Sequence, residues 1–277
     1  MTAKGIERQA SVALTAAQQE EFDRSGILRI AGAIAKPDVD RIREQVWDTL
    51  SRRYQVSRDA PEGWKPLRAA AAPDLPKSLD FDQIGTPAVS GALDDLMGYG
   101  NWQRPERSSQ LLVAFPESRE QWDVPHQSWH LDFPASQALE GLFAMRLFAC
   151  LATLQPGGGG TVAVAGSYRL VENLIRKRGS DRIRSADVRR LLIRAYPWMK
   201  ALCTRDENID RVQKFMKRSA TLDRVEARVV EMTGEAGDVI LMHPLTMHAP
   251  AKNCAAAPRL VLTATVCRRG VAPSALY

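Results

Sequence analysis

From residue 109 onward the chain is cut into short apolar runs with Gly or Pro at most of the breaks, and this punctuation constrains the fold more than any other feature. The runs at 109–115, 161–165, 228–232, 238–242 and 260–266 have the length of strands rather than helices. The longest, 141–154, could form either element; its residue content and the glycines at 157–160 that follow it favour a central strand. Many short strands with Gly and Pro turns predict a double-sheet barrel or jelly roll. Helical spacing appears upstream. Thr15 can cap a helix that Gly26 ends, Val39, Ile42, Val46, Trp47 and Leu50 share one face after Pro37, and 87–97 reads as a third helix stopped by Gly98. Between 55 and 82, four prolines and an alanine run favour an extended loop, a candidate mobile edge of a pocket. The expected fold is therefore mainly β with flanking helices.

Composition sets the outer bounds. At 277 residues, with 45% hydrophobic and 25% charged content, residues 1–277 read as a single globular domain with an elaboration, neither disordered nor fibrous. No apolar run approaches the roughly 20 residues of a membrane span. The first residues lack the apolar core of a secretory signal, so a cytoplasmic location is expected. Cys150, Cys203, Cys254 and Cys267 are widely spaced and form no CxxC pair, which argues for reduced, mostly buried thiols. A net charge of +6 raises the question of nucleic acid, because phosphate backbones attract basic surfaces. Most of that excess, however, sits in one segment, 168–225.

Chemistry concentrates at Ser128-Trp129-His130-Leu131-Asp132-Phe133-Pro134. On a strand, residues two apart face the same side, so His130 and Asp132 would present an imidazole and a carboxylate together. These are two legs of a metal tripod, and a third leg must come from another of the four histidines. His243 and His248 both follow the apolar run at 238–242, and His126 reads as a loop or pocket-rim residue. Two histidines and one carboxylate on one face form the triad that leaves positions open on non-heme Fe(II). A lone His-x-Asp pair is more often a surface or capping pair, and the downstream histidines tip that balance.

Taken together, the His130-Leu131-Asp132 triplet, the Gly-rich stretch from Gly157 to Ser167, Gly237-Asp238 leading to His248, and Arg259 resemble the phytanoyl-CoA dioxygenase-like branch of the Fe(II)/2-oxoglutarate-dependent oxygenases. The likeness runs from about Thr15 to Val266, with gaps at the proline-rich loop and at 168–225. It implies a double-stranded β-helix (jelly roll) with an N-terminal helical part, holding Fe(II) on His130, Asp132 and His248. The family's spacing puts a 2-oxoglutarate-binding arginine roughly ten residues after the third ligand. Arg259 stands eleven beyond His248, which favours His248 over His243 and leaves His243 a turn residue or one supporting a ligand. A guanidinium fork matches a planar carboxylate, so Arg259 would hold the cosubstrate's distal carboxylate. Gln110 resembles a position that helps bind 2-oxoglutarate in some relatives, and is otherwise an ordinary strand residue. The implied activity is a dioxygenase that uses O2 and 2-oxoglutarate to hydroxylate an unactivated C–H bond of a small molecule. Because Asp132 is present, chloride transfer, which needs a small residue there, is disfavoured.

The segment 168–225 carries apolar residues at near-helical spacing with many Arg and Lys between them, predicting a helical insertion that covers the barrel mouth. The plain reading of its basic face is solvated charge; the sharper one is a lid that draws in an anionic substrate. Two rival functions remain at this stage. A cupin-like metal protein would share the barrel without needing Arg259, and a nucleic-acid-binding module would use the basic segment and bind in a salt-dependent way.

Overall fold

The computed structural model describes residues 14–64, 81–105, 110–117, 121–134, 141–178 and 183–271. The N-terminal part forms as its caps dictate. In α1 (Ala16–Ser25) Thr15 and Gln18 make a reciprocal capping box, and Gly26, at φ 73°, ends the helix in the left-handed region. A Cβ there would stand 2.7 Å from the Tyr168 ring, so only glycine fits. β1 (Ile27–Ile30) leads to α2 (Lys36–Tyr54), which buries Val39, Ile42, Val46, Trp47 and Leu50. α3 (Pro87–Met97) follows, capped by Thr86 with Pro at its first turn. The proline-rich loop is described only at its ends; residues 65–80 lie outside the described residues.

The remaining strands are β2 (Trp102–Gln103), β3 (Gln110–Ala114), β4 (Ala144–Cys150), β5 (Thr161–Ala165), β6 (Ala220–Leu222), β7 (Val225–Glu231), β8 (Val239–Met242), β9 (His248–Pro250) and β10 (Arg259–Arg268). Within the ambiguous run 141–154, Ala144–Cys150 form a strand paired on both edges. One sheet runs β1-β8-β4-β10, with β3 and β2 sharing the far edge of β10; the other runs β6-β7-β5-β9, and all pairs are antiparallel. This is the double-sheet jelly roll the strand pattern predicts.

Alternation along the strands divides the core into three. Leu147 and Ala149 of β4 and Leu260, Leu262 and Ala264 of β10 point outward onto α2 and α3. Their alternates, Phe148, Cys150 and Val261, point between the sheets. On the second sheet Val162, Val164, Ala227 and Val229 point outward to a layer made by α4 (Ser167–Arg178), α5 (Ser185–Ala195), α6 (Pro197–Leu202) and a π-helical turn at Val212–Lys217. Each helical layer hides one sheet face at roughly 1.5–3 kcal/mol per fully buried large side chain.

The insertion is helical, but it packs on the outer face of the second sheet and beneath the segment 122–133, rather than across the mouth. The reason lies in its apolar stripe. Leu170, Val171, Ile175, Val188, Leu192 and Phe215 need an apolar partner, and the outward valines of β5 and β7 provide it. Part of its basic face is paired, through Arg176–Glu172, Lys177–Asp223, Arg190–Asp187 and Arg205–Glu207, exposed contacts worth about 0–1 kcal/mol each. Among the described residues no helix is long and apolar enough to cross a membrane.

Two buried side chains tie the layers together. Arg211 donates from Nε to the Val124 carbonyl (2.7 Å), and from its terminal nitrogens to the carbonyls of Pro125 (3.0 Å), Leu202 (2.6 Å) and Thr204 (3.1 Å). It thereby satisfies the carbonyls left open at the end of α6 and pins the loop that leads to His130. His243 lies at the junction of α1, β8 and α4, stacked on Tyr168 at 4.2 Å between centroids and tilted against Phe22. Its Nδ1 accepts the Leu245 N–H at 3.2 Å, and burial pushes its pKa down to about 3.

Replacing Arg211 with Met strips several buried carbonyls of their donor at once, and should lower the unfolding free energy by about 3 kcal/mol or more. Denaturant unfolding checks this, and a loss under about 1 kcal/mol would contradict it. The folded value of His243 lies below the ~6.5 of a free imidazole. Its stabilising effect is therefore complete above that pH and lost as pH falls toward 3, because the unfolded chain takes up a proton that the folded chain refuses. Between pH 7 and pH 5 this group alone should remove about 2 kcal/mol of stability. The His243→Gln variant should lack that component; an identical pH slope in both proteins would sink the assignment.

Candidate active site

The mouth of the barrel is closed by two backbone hydrogen bonds. His130 N–H donates to the His248 carbonyl at 2.8 Å and His248 N–H to the His130 carbonyl at 2.9 Å. His130 does not lie on a regular strand, contrary to expectation; this bridge is an isolated pair, and Ser128 just before it has φ 63°. The expected alternation survives because Trp129, Leu131 and Phe133 are buried in the core beneath, which turns His130 and Asp132 the other way. The left-handed Ser128 is a locally costly conformation for a residue with a Cβ. It aims the Ser128 carbonyl at His130 Nδ1, 2.7 Å away.

His130, Asp132 and His248 each place one ligand atom within 4.8 Å of the others. His130 Nε2 and His248 Nε2 both lie 3.5 Å from Asp132 Oδ1. Nδ1 of His248 is held by the Thr246 carbonyl at 3.0 Å, as Nδ1 of His130 is by Ser128. Each imidazole thus has its Nδ1 fixed on a backbone carbonyl and turns Nε2 toward the carboxylate, to which it donates when protonated; with that proton gone Nε2 is a lone-pair donor, the arrangement seen behind metal-bound histidines. Burial raises the Asp132 pKa, but hydrogen bonds from His130 and His248 and the Arg146 charge outweigh it, holding the carboxyl well below its ordinary value. The Asp132 hydrogen bond likewise raises the pKa of His130. Two nitrogen lone pairs and one ionised oxygen converge here, a donor set that fits a divalent cation of the iron type with positions left open.

The other expected site residues fall into two groups. Arg259 is buried at the start of β10 on the inner face, where one terminal nitrogen donates to the Gly159 carbonyl and Nε has no partner among the described residues. Burial lowers its pKa to about 10, against the opposing pull of Glu117 and Glu231. The Gly157–Gly160 turn uses its own amides to hold a carboxylate of this chain: Glu231 accepts from Gly157 N–H (2.8 Å) and Gly160 N–H (3.2 Å), which leaves no phosphate cradle. Gln110 lies on the inner face of β3 near the triad, with Oε1 accepting from Arg146 at 3.2 Å. His126 sits at the rim against Gln127. His243 is packed elsewhere, beside α1, and is absent from the metal-competent cluster.

Sequence reasoning missed Arg146. Its guanidinium approaches Asp132 Oδ2 at 3.6 Å and donates to Thr265 Oγ1 (2.8 Å) and Thr263 Oγ1 (3.2 Å). The available signal was one charged residue inside the otherwise apolar run 144–150, where a buried charge needs a function or a partner.

Comparison with known proteins agrees with this geometry. No curated protein matches the chain. Solved structures similar in fold include the carbocyclase SnoK from nogalamycin biosynthesis, described as non-heme and alpha-ketoglutarate dependent, at TM-score 0.52 and 15% identity over 94% of this chain and 86% of that one. EctD from S. alaskensis, solved with 2-oxoglutarate and 5-hydroxyectoine, gives TM-score 0.52 and 16% identity over 94% of this chain and 79% of that one. HygX from Streptomyces hygroscopicus, with nickel and 2-oxoglutarate bound, gives 0.51 and 15% over 93% and 88%. The family model described as phytanoyl-CoA dioxygenase (PhyH) matches residues 22–261, most of the chain, and the chain therefore belongs to that family of iron- and 2-oxoglutarate-dependent enzymes.

Proposed function

We propose that this protein is an Fe(II)/2-oxoglutarate-dependent dioxygenase that hydroxylates an unactivated C–H bond of a small-molecule substrate, with 2-oxoglutarate converted to succinate and CO2. The observation that carries the reading is the convergence of His130, Asp132 and His248 at the mouth, with a buried, incompletely paired Arg259 deeper in the same barrel. In this reading the whole chain works as one oxygenase domain, and the insertion supports the site from outside. Four cysteines without a disulfide suit a reducing, cytoplasmic setting.

His130, Asp132 and His248 would hold the iron, each histidine fixed in tautomer by its backbone carbonyl. Bound there, iron supplies the oxygen chemistry that the side chains of the protein cannot perform. The chain's own residues do the rest. Asp132 stays ionised because two imidazoles and the Arg146 charge face it. Arg259 offers its unpaired Nε and a terminal nitrogen to the distal carboxylate of 2-oxoglutarate, in a pocket walled mainly by apolar side chains such as Leu112, Phe148 and Val261. Gln110 orients the Arg146 head beside that route. Fold alone does not select the substrate or restrict the outcome to hydroxylation. A carboxylate at 132 and open metal positions nonetheless favour hydroxylation over chloride transfer.

Changing His130, Asp132 or His248 to Ala should abolish both tight Fe(II) binding and succinate release without unfolding the protein. Anaerobic Fe(II) titration followed by succinate assay reads both quantities; retention of both in His248→Ala would remove that residue from the ligand set. Arg259→Ala should raise the 2-oxoglutarate requirement by well over tenfold, because a partner of a buried charge pair is worth roughly 2–5 kcal/mol. Iron affinity should stay within about twofold of the parent protein, since Arg259 lies outside the cluster. An unchanged 2-oxoglutarate titration would contradict that role.

A further inference from the structure

The two oxygens of Asp132 face different partners. Oδ1 is turned to Nε2 of His130 and Nε2 of His248, 3.5 Å from each, whereas Oδ2 is turned to Nε of Arg146 at 3.6 Å. Arg146 has little freedom to leave that place. Its terminal nitrogens donate to Thr265 Oγ1 (2.8 Å), Thr263 Oγ1 (3.2 Å) and Gln110 Oε1 (3.2 Å), and its head lies over the Phe148 ring, 5.9 Å from the centroid. Strand register supplies these partners, because Thr265 stands opposite Arg146 across β4 and β10, and Thr263 opposite Gln110 across β10 and β3. All three acceptors are neutral. The nitrogen those bonds leave over is Nε, which is buried, has no hydrogen-bond partner among the described residues and faces the carboxylate.

Resting on the enzyme reading above, we propose that Arg146 is a positioning residue for the metal carboxylate: it keeps Oδ2 of Asp132 off the metal, so that Asp132 bonds through Oδ1 alone. A carboxylate can bind a divalent cation through one oxygen or through both. Here the difference decides how many positions stay open. Two imidazoles and one oxygen leave half of an octahedral ion free, which is what a chelating 2-oxo acid and O2 need together, and a second carboxylate oxygen would take one of those positions. An ionised oxygen in a partly buried site is costly without a partner, so without Arg146 the nearest positive charge for Oδ2 is the cation itself. With Arg146 beside it, a shift of roughly 0.5 Å gives Oδ2 a charge-assisted hydrogen bond instead. Thr263, Thr265 and Gln110 act through Arg146, since their bonds deny the guanidinium other positions.

The test counts open positions on the metal with no 2-oxoglutarate present. Full-length protein is loaded with Mn(II), and the water molecules bound to the ion are counted from the broadening of its electron paramagnetic resonance lines in oxygen-17 water, with Mn(II) affinity measured alongside. Arg146→Met fills the same space without a donor, and should hold one bound water fewer than the parent while still binding Mn(II). Arg146→Lys keeps a charged donor within reach of Oδ2, and should restore the parent's count. A purely structural role for Arg146 would not move this number. The parent's count in Arg146→Met, one water fewer in Arg146→Lys as well, or loss of Mn(II) from Arg146→Met would overturn the assignment. A crystal structure of the Mn(II)-loaded parent decides the same point without any substitution. Oδ1 on the metal with Oδ2 within about 3.2 Å of Arg146 Nε is expected, and both oxygens on the metal, or Oδ2 away from Nε, overturns it. If the parent binds Mn(II) on the triad while Arg146→Met behaves as the parent, only the role of Arg146 fails; if the parent binds no metal there, the enzyme reading fails with it.

Discussion

Everything at the mouth of this barrel depends on one antiparallel bridge, the pair of backbone hydrogen bonds between His130 and His248. It joins residues 118 positions apart and sets their rings 4.3 Å from centroid to centroid. A bridge of only two hydrogen bonds cannot hold that register alone, given a net worth of about 1 kcal/mol each. The register is held from beneath. Trp129, Leu131 and Phe133 fill the core under the second sheet, and Arg211 fastens the approaching loop to the end of α6. The helical insertion acts on the site through this layer.

Charge inside the barrel is arranged with the same economy. A carboxylate held ionised by two imidazoles, a guanidinium next to it and a second guanidinium at the far end would be expensive to bury in an empty interior. Arg146 Nε faces Asp132 at 3.6 Å, beyond hydrogen-bond range, and Arg259 Nε has no hydrogen-bond partner among the described residues. Anions and a divalent cation are what such an interior is shaped to receive, and binding them would add to stability as well as enable chemistry. On the surface, Arg176, Lys177, Arg190 and Arg205 of the insertion pair with Glu172, Asp223, Asp187 and Glu207.

Much of this was legible in the sequence, for local reasons. Thr15, Gly26, Pro37 and Gly98 mark helix ends through caps and forbidden dihedrals, and the short apolar runs between Gly and Pro breaks have the length of strands. His130 and Asp132 stood out by their two-residue spacing, and Arg259 by its distance from His248 in a pattern that resembles the family's. Three things were hidden. That His130 sits on an isolated bridge follows from the left-handed Ser128, a conformation no propensity anticipates. The insertion packs outside the mouth because its apolar stripe meets the outward valines of the second sheet, a tertiary contact that helical spacing alone does not specify. The position of Arg146 depends on the register of β4 against β10, which sets Arg146 opposite Thr265, and register is a long-range property.

The central claim is that one barrel interior holds a divalent metal on His130, Asp132 and His248 and a dicarboxylate running from that cluster to Arg259. Its most direct test is a crystal structure of the full chain grown without oxygen in the presence of Mn(II) and 2-oxoglutarate. The account predicts one metal bonded to those three side chains, with 2-oxoglutarate running from the metal to its distal carboxylate on Arg259. A metal bound elsewhere, or a cosubstrate whose carboxylates avoid Arg259, would contradict it.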